Sequence, residues 1–243
     1  MIFSILVLIA SILAGAVAAV SGFGIGSLLT PLLAVRYGTK LAVAVVSVPH
    51  LIGTAARFAT LKQHLDRKVF WRFGIFSAAG GLAGAILNAR IQSPALSVVF
   101  GALLIFAGVS GLTGLAEKMH FGRKAAWIAG GTSGFFGGLV GNQGGIRSAA
   151  LLGFDVSKEA FVATATAVAL IVDGARMPVY FVTQRAGILN AWIEIAIGIA
   201  GVLAGTLWGV RVLRHIPDHI FRRLVSGIVA TLGVYMLARG LMG

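Results

Sequence analysis

There is no cysteine among the 243 residues, which removes disulfides, thiolate nucleophiles and cysteine-ligated metals together. Charge is nearly as scarce. Only 11% of residues are Asp, Glu, Lys or Arg, about half the share of an ordinary soluble domain, so composition argues against a water-soluble globular protein. The five histidines, His50, His64, His120, His215 and His219, are scattered without ligand spacing, and no metal site is expected. HExxH, GxSxG and GxxxxGK[ST] are all missing, and "GFGIGS" at 22–27 has no acidic ribose partner in a βαβ setting. No nucleophile and base stand in a recognised arrangement. Neither enzymatic activity nor a cofactor is expected.

What fills the chain instead is apolar sequence. Hydrophobic residues make up 58% and the mean hydropathy is +0.97. Apolar runs recur at 1–20, 41–56, 73–87, 95–116, 159–172, 188–210 and 224–238, several of them near the roughly 20 residues that cross a hydrocarbon core. The fold class expected is all-α: a polytopic membrane protein of about eight hydrophobic segments, with the lipid bilayer as its solvent. The first run lacks a preceding basic residue and reads as retained membrane structure rather than a cleaved leader. A net charge of +13 would suggest nucleic acid in a soluble protein. Here it is assigned to loops facing anionic headgroups, and no nucleic-acid partner is expected. Trp71 beside Arg72 and Trp127 just after Lys124 suit interfacial aromatics.

Glycine is abundant, and it is concentrated. "GGTSGFFGGLVGNQGGIRSAALLGF" at 130–154 is too glycine-rich for an ordinary core helix and too apolar for a surface loop. "SGFGIGSLLTP" at 21–31 has the same character, and the two halves match further on. "GTAARF" at 53–58 aligns with "VDGARM" at 172–177, and "GGLAGAIL" at 80–87 with "GVLAGTLW" at 201–208. Pairing the two "SGF" triplets, at 21–23 and 133–135, gives an offset that grows along the chain and requires short insertions. The reading is two membrane repeats, 1–120 and 121–243, each opened by a glycine-broken pair of helices, about 2–35 and 125–152.

Loop charges set the topology. If each broken segment returns to its starting face, one face receives Lys62, Arg67, Lys68, Arg72, Lys118, Arg123, Lys124, Lys158, Arg211, Arg214, Arg222 and Arg223. The other receives Arg36, Lys40, Arg90, Arg185 and Arg239. Placing the richer face in the cytoplasm puts both termini in the periplasm and makes the repeats inverted copies. Inverted repeats with interrupted helices place a binding site near the membrane middle.

A broken backbone in lipid must find polar partners, so the breaks mark a site. The candidate substrate-binding residues are Ser21, Gly22, Gly24 and Gly26 in the first half. In the second they are Ser133, Gly134, Gly141, Asn142, Gln143 and Gly144, with Arg147 and Arg176. Amides at half-helix starts favour an anion, and arginine offers a planar fork suited to paired oxyanion oxygens. Arg57 aligns with Arg176 and either frames the same pocket or snorkels to headgroups. Gly80, Gly84, Gly201, Gly205 and Gly209 have the spacing of close helix packing. His50, Asp173 and Glu194 are ionisable groups within apolar spans and are candidate carriers of a coupling proton. Asp173 also stands three residues before Arg176 and is spaced to pair with it.

With "SGFGIGSLLTPLL" in the first half, "SGFFGGLVGNQGGIRSAALL" in the second and a basic loop after the second helical segment, the chain resembles the TauE/SafE sulfite-exporter family of membrane permeases over essentially its whole length. The resemblance implies secondary transport of a small anion, such as sulfite, a sulfonate, another organosulfur anion or a carboxylate, across the bacterial inner membrane. It carries the first glycine motif onto Gly22, Gly24, Gly26 and Pro31, and the second onto Gly134, Gly137, Gly141, Gly144 and Gly145. Asn142-Gln143, and Ala150 where proline is usual, depart from the family pattern and bear on which ligand is preferred. An anion channel, or a membrane scaffold that transports nothing, are the alternative readings.

Overall fold

The computed structural model describes residues 2–115, 123–142, 144–151, 157–209 and 217–242. Among them the regular elements are all helical. The first half contains α1 (Ile2–Ser21), α2 (Ile25–Leu61), α3 (Arg67–Arg90) and α4 (Ser93–Thr113). The second contains α5 (Arg123–Val140), α6 (Gly144–Leu151), α7 (Lys158–Asn190), α8 (Trp192–Ala204, continued by a π-helical turn Gly205–Gly209) and α9 (Asp218–Met242). Among the described residues six helices are long and apolar enough to cross a membrane, and this is a multi-pass membrane protein.

The helix ends follow from local chemistry. Asp66 caps α3 by accepting the Val69 amide at 3.0 Å, and Ser157 caps α7 by accepting the Ala160 amide at 3.2 Å. Pro94 occupies the first turn of α4, and Gly114 ends that helix in the left-handed conformation. At 37 residues α2 would run about 55 Å if straight, well beyond a hydrocarbon core of about 30 Å. Gly38, at φ 74° and ψ 158°, breaks it into a half-helix over 25–37 and a full crossing over 39–61. In α7 a non-helical Gln184 divides the long crossing from its last turn.

Packing pairs the halves reciprocally. α1 lies against α8 and its π turn, α3 against α5, α2 against α7, and α4 against α9. Glycine makes the first two contacts close enough for backbones to touch. A Cβ on Gly15 would stand 2.3 Å from the Val202 carbonyl oxygen, and one on Gly205 2.0 Å from that of Ile12. Across the other contact, a Cβ on Gly84 would meet the Phe135 oxygen at 2.0 Å, and one on Gly138 the Gly81 oxygen at 1.9 Å. In lipid, where tails are as apolar as leucine, such approach supplies the dispersion contacts that hold helices together.

The two ends of the bundle are distinct. At one, Arg36 pairs with Glu194 at 2.8 Å and lies 5.3 Å from the Phe3 ring centre. Lys40 donates to the Ala89 carbonyl at 2.6 Å, and Arg239 to that of Val35 at 3.3 Å. At the other, the Asp66 amide donates to Thr164 Oγ1 at 3.2 Å, and Trp127 stacks on Phe76.

Candidate functional site

The interruption in the first half is one short turn, not a glycine-long unwinding. α1 stops at Gly22 (φ 79°), followed by Gly24 (φ 136°), and α5 stops at Gly141 (φ 76°). These are left-handed conformations that a Cβ disfavours. Ser21 Oγ lies within donating distance of two carbonyls, Val17 at 2.8 Å and Phe23 at 2.7 Å, and so stays with its own turn. Most glycines of the 130–145 stretch lie inside the continuous α5. Gly134, expected at the binding site, instead packs on α3, where a Cβ would fall 1.9 Å from the Ser77 carbonyl oxygen. Ser133 is fully buried in the same helix. Gln143 lies outside the described residues.

The structure also changes the register of the internal match. The same 119 residues separate Gly22 from Gly141, Leu32-Leu33 from Leu151-Leu152, and Arg57 from Arg176. No insertion is needed between break and arginine. "SGF" at 133–135 therefore corresponds to Ala14, Gly15 and Ala16, and Gly134 to Gly15, a glycine packed on a neighbouring helix in the same way. The two identical "SGF" triplets thus stand at non-equivalent positions in this register.

The two breaks touch. A Cβ on Gly26 would stand 2.3 Å from the Gly141 carbonyl oxygen, and one on Gly144 2.2 Å from Phe23 Cβ. Around this junction the buried polar groups collect. Arg57, Arg147 and Arg176 are 6%, 2% and 1% exposed; they are the three basic residues, of twenty in the chain, outside the two loop-charge sets. The snorkelling alternative for Arg57 is thereby removed.

Each of two arginines clamps the last turn before a break. Arg57 donates through one terminal nitrogen to the Ala18 carbonyl and through Nε to Thr166 Oγ1 at 3.2 Å. Arg176 donates to the Gly137 carbonyl at 2.5 Å. Ala18 and Gly137 are the very carbonyls that accept the amides of Gly22 and Gly141, each at 3.0 Å. Beside Arg176, the Tyr180 hydroxyl donates to the next carbonyl, Gly138.

Asp173 is fully buried. One of its oxygens receives Arg176 twice, from Nε at 2.9 Å and from a terminal nitrogen at 2.7 Å, and the other lies 2.7 Å from His50 Nδ1. Arg147, on α6, differs from both clamps. Among the described residues it makes one long contact, a terminal nitrogen 3.4 Å from the Gly22 carbonyl, while its Nε and other terminal nitrogen are buried with no partner there. Nearby buried hydroxyls in the same state are Thr30 Oγ1 and Thr54 Oγ1. Thr30 borders Gly141, whose Cβ position lies 3.8 Å from its oxygen and 3.8 Å from an Arg176 nitrogen. Asn142 is 7% exposed at the second break.

Of the sequence candidates, the structure thus brings together Gly22, Gly24, Gly26, Gly141, Asn142, Gly144, Arg147 and Arg176, with His50 and Asp173 behind them. Glu194 is engaged elsewhere: it opens α8 and pairs with Arg36 at the end of the bundle. Sequence reasoning missed Thr166 and Tyr180. Their signal was present, since Thr166, Asp173, Arg176 and Tyr180 follow one another at intervals of 7, 3 and 4 residues, the spacing of one helix face.

Charge accounting gives the arrangement its chemistry. Among the described residues three guanidiniums around the breaks face one carboxylate, because the other buried acid described, Glu194, is used by Arg36. Uncompensated charge of this kind is expensive away from water and marks an ion pathway or site. A protein-family model described as Sulfite exporter TauE/SafE matches residues 7–236 of the chain. No curated protein and no solved structure gives a significant match.

Proposed function

Because the chain belongs to the sulfite exporter TauE/SafE family, a family of membrane transporters, we propose that it is a secondary transporter whose small anionic substrate is held where the two broken helices meet. The observation that carries this reading is Arg147, a guanidinium 2% exposed with two nitrogens lacking a partner among the described residues, directly beside both breaks. A desolvated cation leaves such donors empty only at high cost, and an oxyanion supplies both the missing charge and the missing acceptors. Sulfite, sulfonates and related organosulfur or carboxylate anions have oxygen pairs that fit the guanidinium fork. Asn142 adds a side-chain amide, and the first-turn amides of the half-helices at Ile25 and Gly144 add partial positive charge. Arg57 and Arg176 fix the last turns of α1 and α5, and so hold the breaks open toward one another.

The two halves, 1–120 and 121–243, are inverted copies in this reading. Phe3 of α1 lies at the end of the bundle with Arg36, Trp127 of α5 lies at the end with Phe76, and both helices run inward to breaks that meet. Alternating access then amounts to rocking one half against the other about the junction. The loop charges favour the inner membrane with both termini in the periplasm.

The test is a thermal-stability screen of the purified protein against sulfite, sulfate, taurine, sulfoacetate and small carboxylates. A true substrate raises the midpoint by mass action. Arg147→Gln is expected to abolish that shift, a loss of affinity of about 100-fold or more, while the ligand-free protein keeps or gains stability. An unchanged shift in Arg147→Gln removes Arg147 from the site.

A further inference from the structure

Resting on that anion site, we propose that His50 is a second, proton-binding site coupled to it, so that the anion and a proton are bound together. His50 Nδ1 lies 2.7 Å from one oxygen of Asp173, and Arg176 holds the other at 2.7 Å while donating to the Gly137 carbonyl. These contacts form one chain from α2 in the first half, through α7, to the last turn of α5 at the second break. Only its first member is accessible. The His50 side chain is 13% exposed and that of Asp173 is 0%, so a proton reaches the cluster through the imidazole. Among the members of the chain, imidazole alone ordinarily changes charge near neutral pH, whereas guanidinium keeps its proton.

The groups facing His50 give the sign of the coupling. From α7 come Asp173 and Arg176, and from its own helix Arg57; Arg147 of α6 shares the same field. α1 and α4 carry no titratable side chain, and α8 has only Glu194, taken by Arg36. Lys62 and His64 stand at the exposed end of α2, and Arg239 of α9 is bound at Val35. With the anion absent, a proton on His50 adds a positive charge to an interior already in cationic excess. An anion on Arg147 offsets that excess and favours the proton. By linkage the proton favours the anion by the same factor. The relay exists in one cradle only, since 119 residues along from His50 stands Ala169, and Thr54 stands where Asp173 would be its partner.

Sulfate and methanesulfonate are suitable probes, because both hold a fixed charge between about pH 6 and about pH 8, where imidazole titrates. Calorimetric titration of the purified full chain is expected to show affinity tightening about fivefold or more from the upper to the lower pH. Adding either anion to weakly buffered protein is expected to draw protons from solution. His50→Gln should bind with an affinity flat in pH and take up no proton, and in proteoliposomes it should exchange anion while losing accumulation driven by a pH gradient. Binding that is flat in pH in the natural protein, or binding without proton uptake, overturns the proton site and leaves the anion site standing. Binding of neither probe at either pH, together with a failed stability screen, sinks both. A pH dependence retained in His50→Gln also overturns the proposal. Should that variant not fold, proton uptake by the natural protein decides alone.

Discussion

Arg57 and Arg176 do the same mechanical work in the two halves and live in opposite electrostatic surroundings. Each reaches back to the carbonyl four residues before a left-handed glycine and fixes the end of a broken helix. Arg176, however, is paired three residues earlier by Asp173, with His50 on the carboxylate's other oxygen. At the matching place in the first half stands Thr54, whose hydroxyl is buried and has no partner among the described residues. The two matching stretches thus share their clamps and differ by one counter-charge. The Arg176 cradle is locally neutral, the Arg57 cradle is cationic, and Arg147 of α6 points its contact at the first-half break, at the Gly22 carbonyl. The difference teaches that what the two cradles share builds the frame, and that where they differ arises the cationic excess on which the proposed anion site rests.

The largest expected effect comes from breaking the neutral cradle. Asp173→Asn removes the carboxylate that Arg176 pairs with and should destabilise the protein by about 3–5 kcal/mol, the scale of a severed buried ion pair. Thr54→Val at the equivalent site removes a hydroxyl that already lacks a partner and should be neutral or slightly stabilising. Thermal unfolding in one detergent, both variants side by side, checks the contrast. Equal losses would mean that the two cradles do not differ as described.

A smaller effect sharpens the comparison by making the halves alike. Thr54→Asp sets a carboxylate three residues before Arg57, as Asp173 stands before Arg176. It should lower the affinity for the anion found in the stability screen by about tenfold, as added like charge does, while leaving the folded protein at least as stable. Calorimetric titration reads the affinity directly. Tightened anion binding in Thr54→Asp would contradict the cationic excess.

How much of this was legible beforehand divides along the same line. Membrane class, the two broken segments and the convergence of Arg147 and Arg176 follow from hydropathy, glycine density and intramembrane charge, which are local properties of sequence. The division of labour among glycines was not legible. Gly134 and Gly141 are both glycines of one stretch, yet the first is needed because another backbone lies against it, and the second because the chain turns left-handed. Only the neighbour on α3 distinguishes them, and that neighbour is 57 residues away, at Ser77. The fate of Arg57 was undecided for a related reason. An arginine near a helix end can reach headgroups or turn inward, and Arg57 turns inward to the Ala18 carbonyl, which accepts it in addition to the Gly22 amide at the break.

Glu194 marks the boundary of the functional cluster and carries the smallest predicted effect. Its residue type and its apolar helix made it a candidate alongside His50 and Asp173, but its partner Arg36 has a side chain 55% exposed. An ion pair open to water on one side holds little net energy, about 1 kcal/mol or less, because solvent screens the attraction and both side chains lose freedom in forming it. Glu194→Gln should therefore cost about that much stability or less, and anion affinity should not move, nor its dependence on pH. Measuring the affinity at two pH values beside His50→Gln makes the distinction sharp. If Glu194→Gln flattens the pH response, the coupling proton runs through the end of the bundle and not through the cradle that Asp173 built in one half alone.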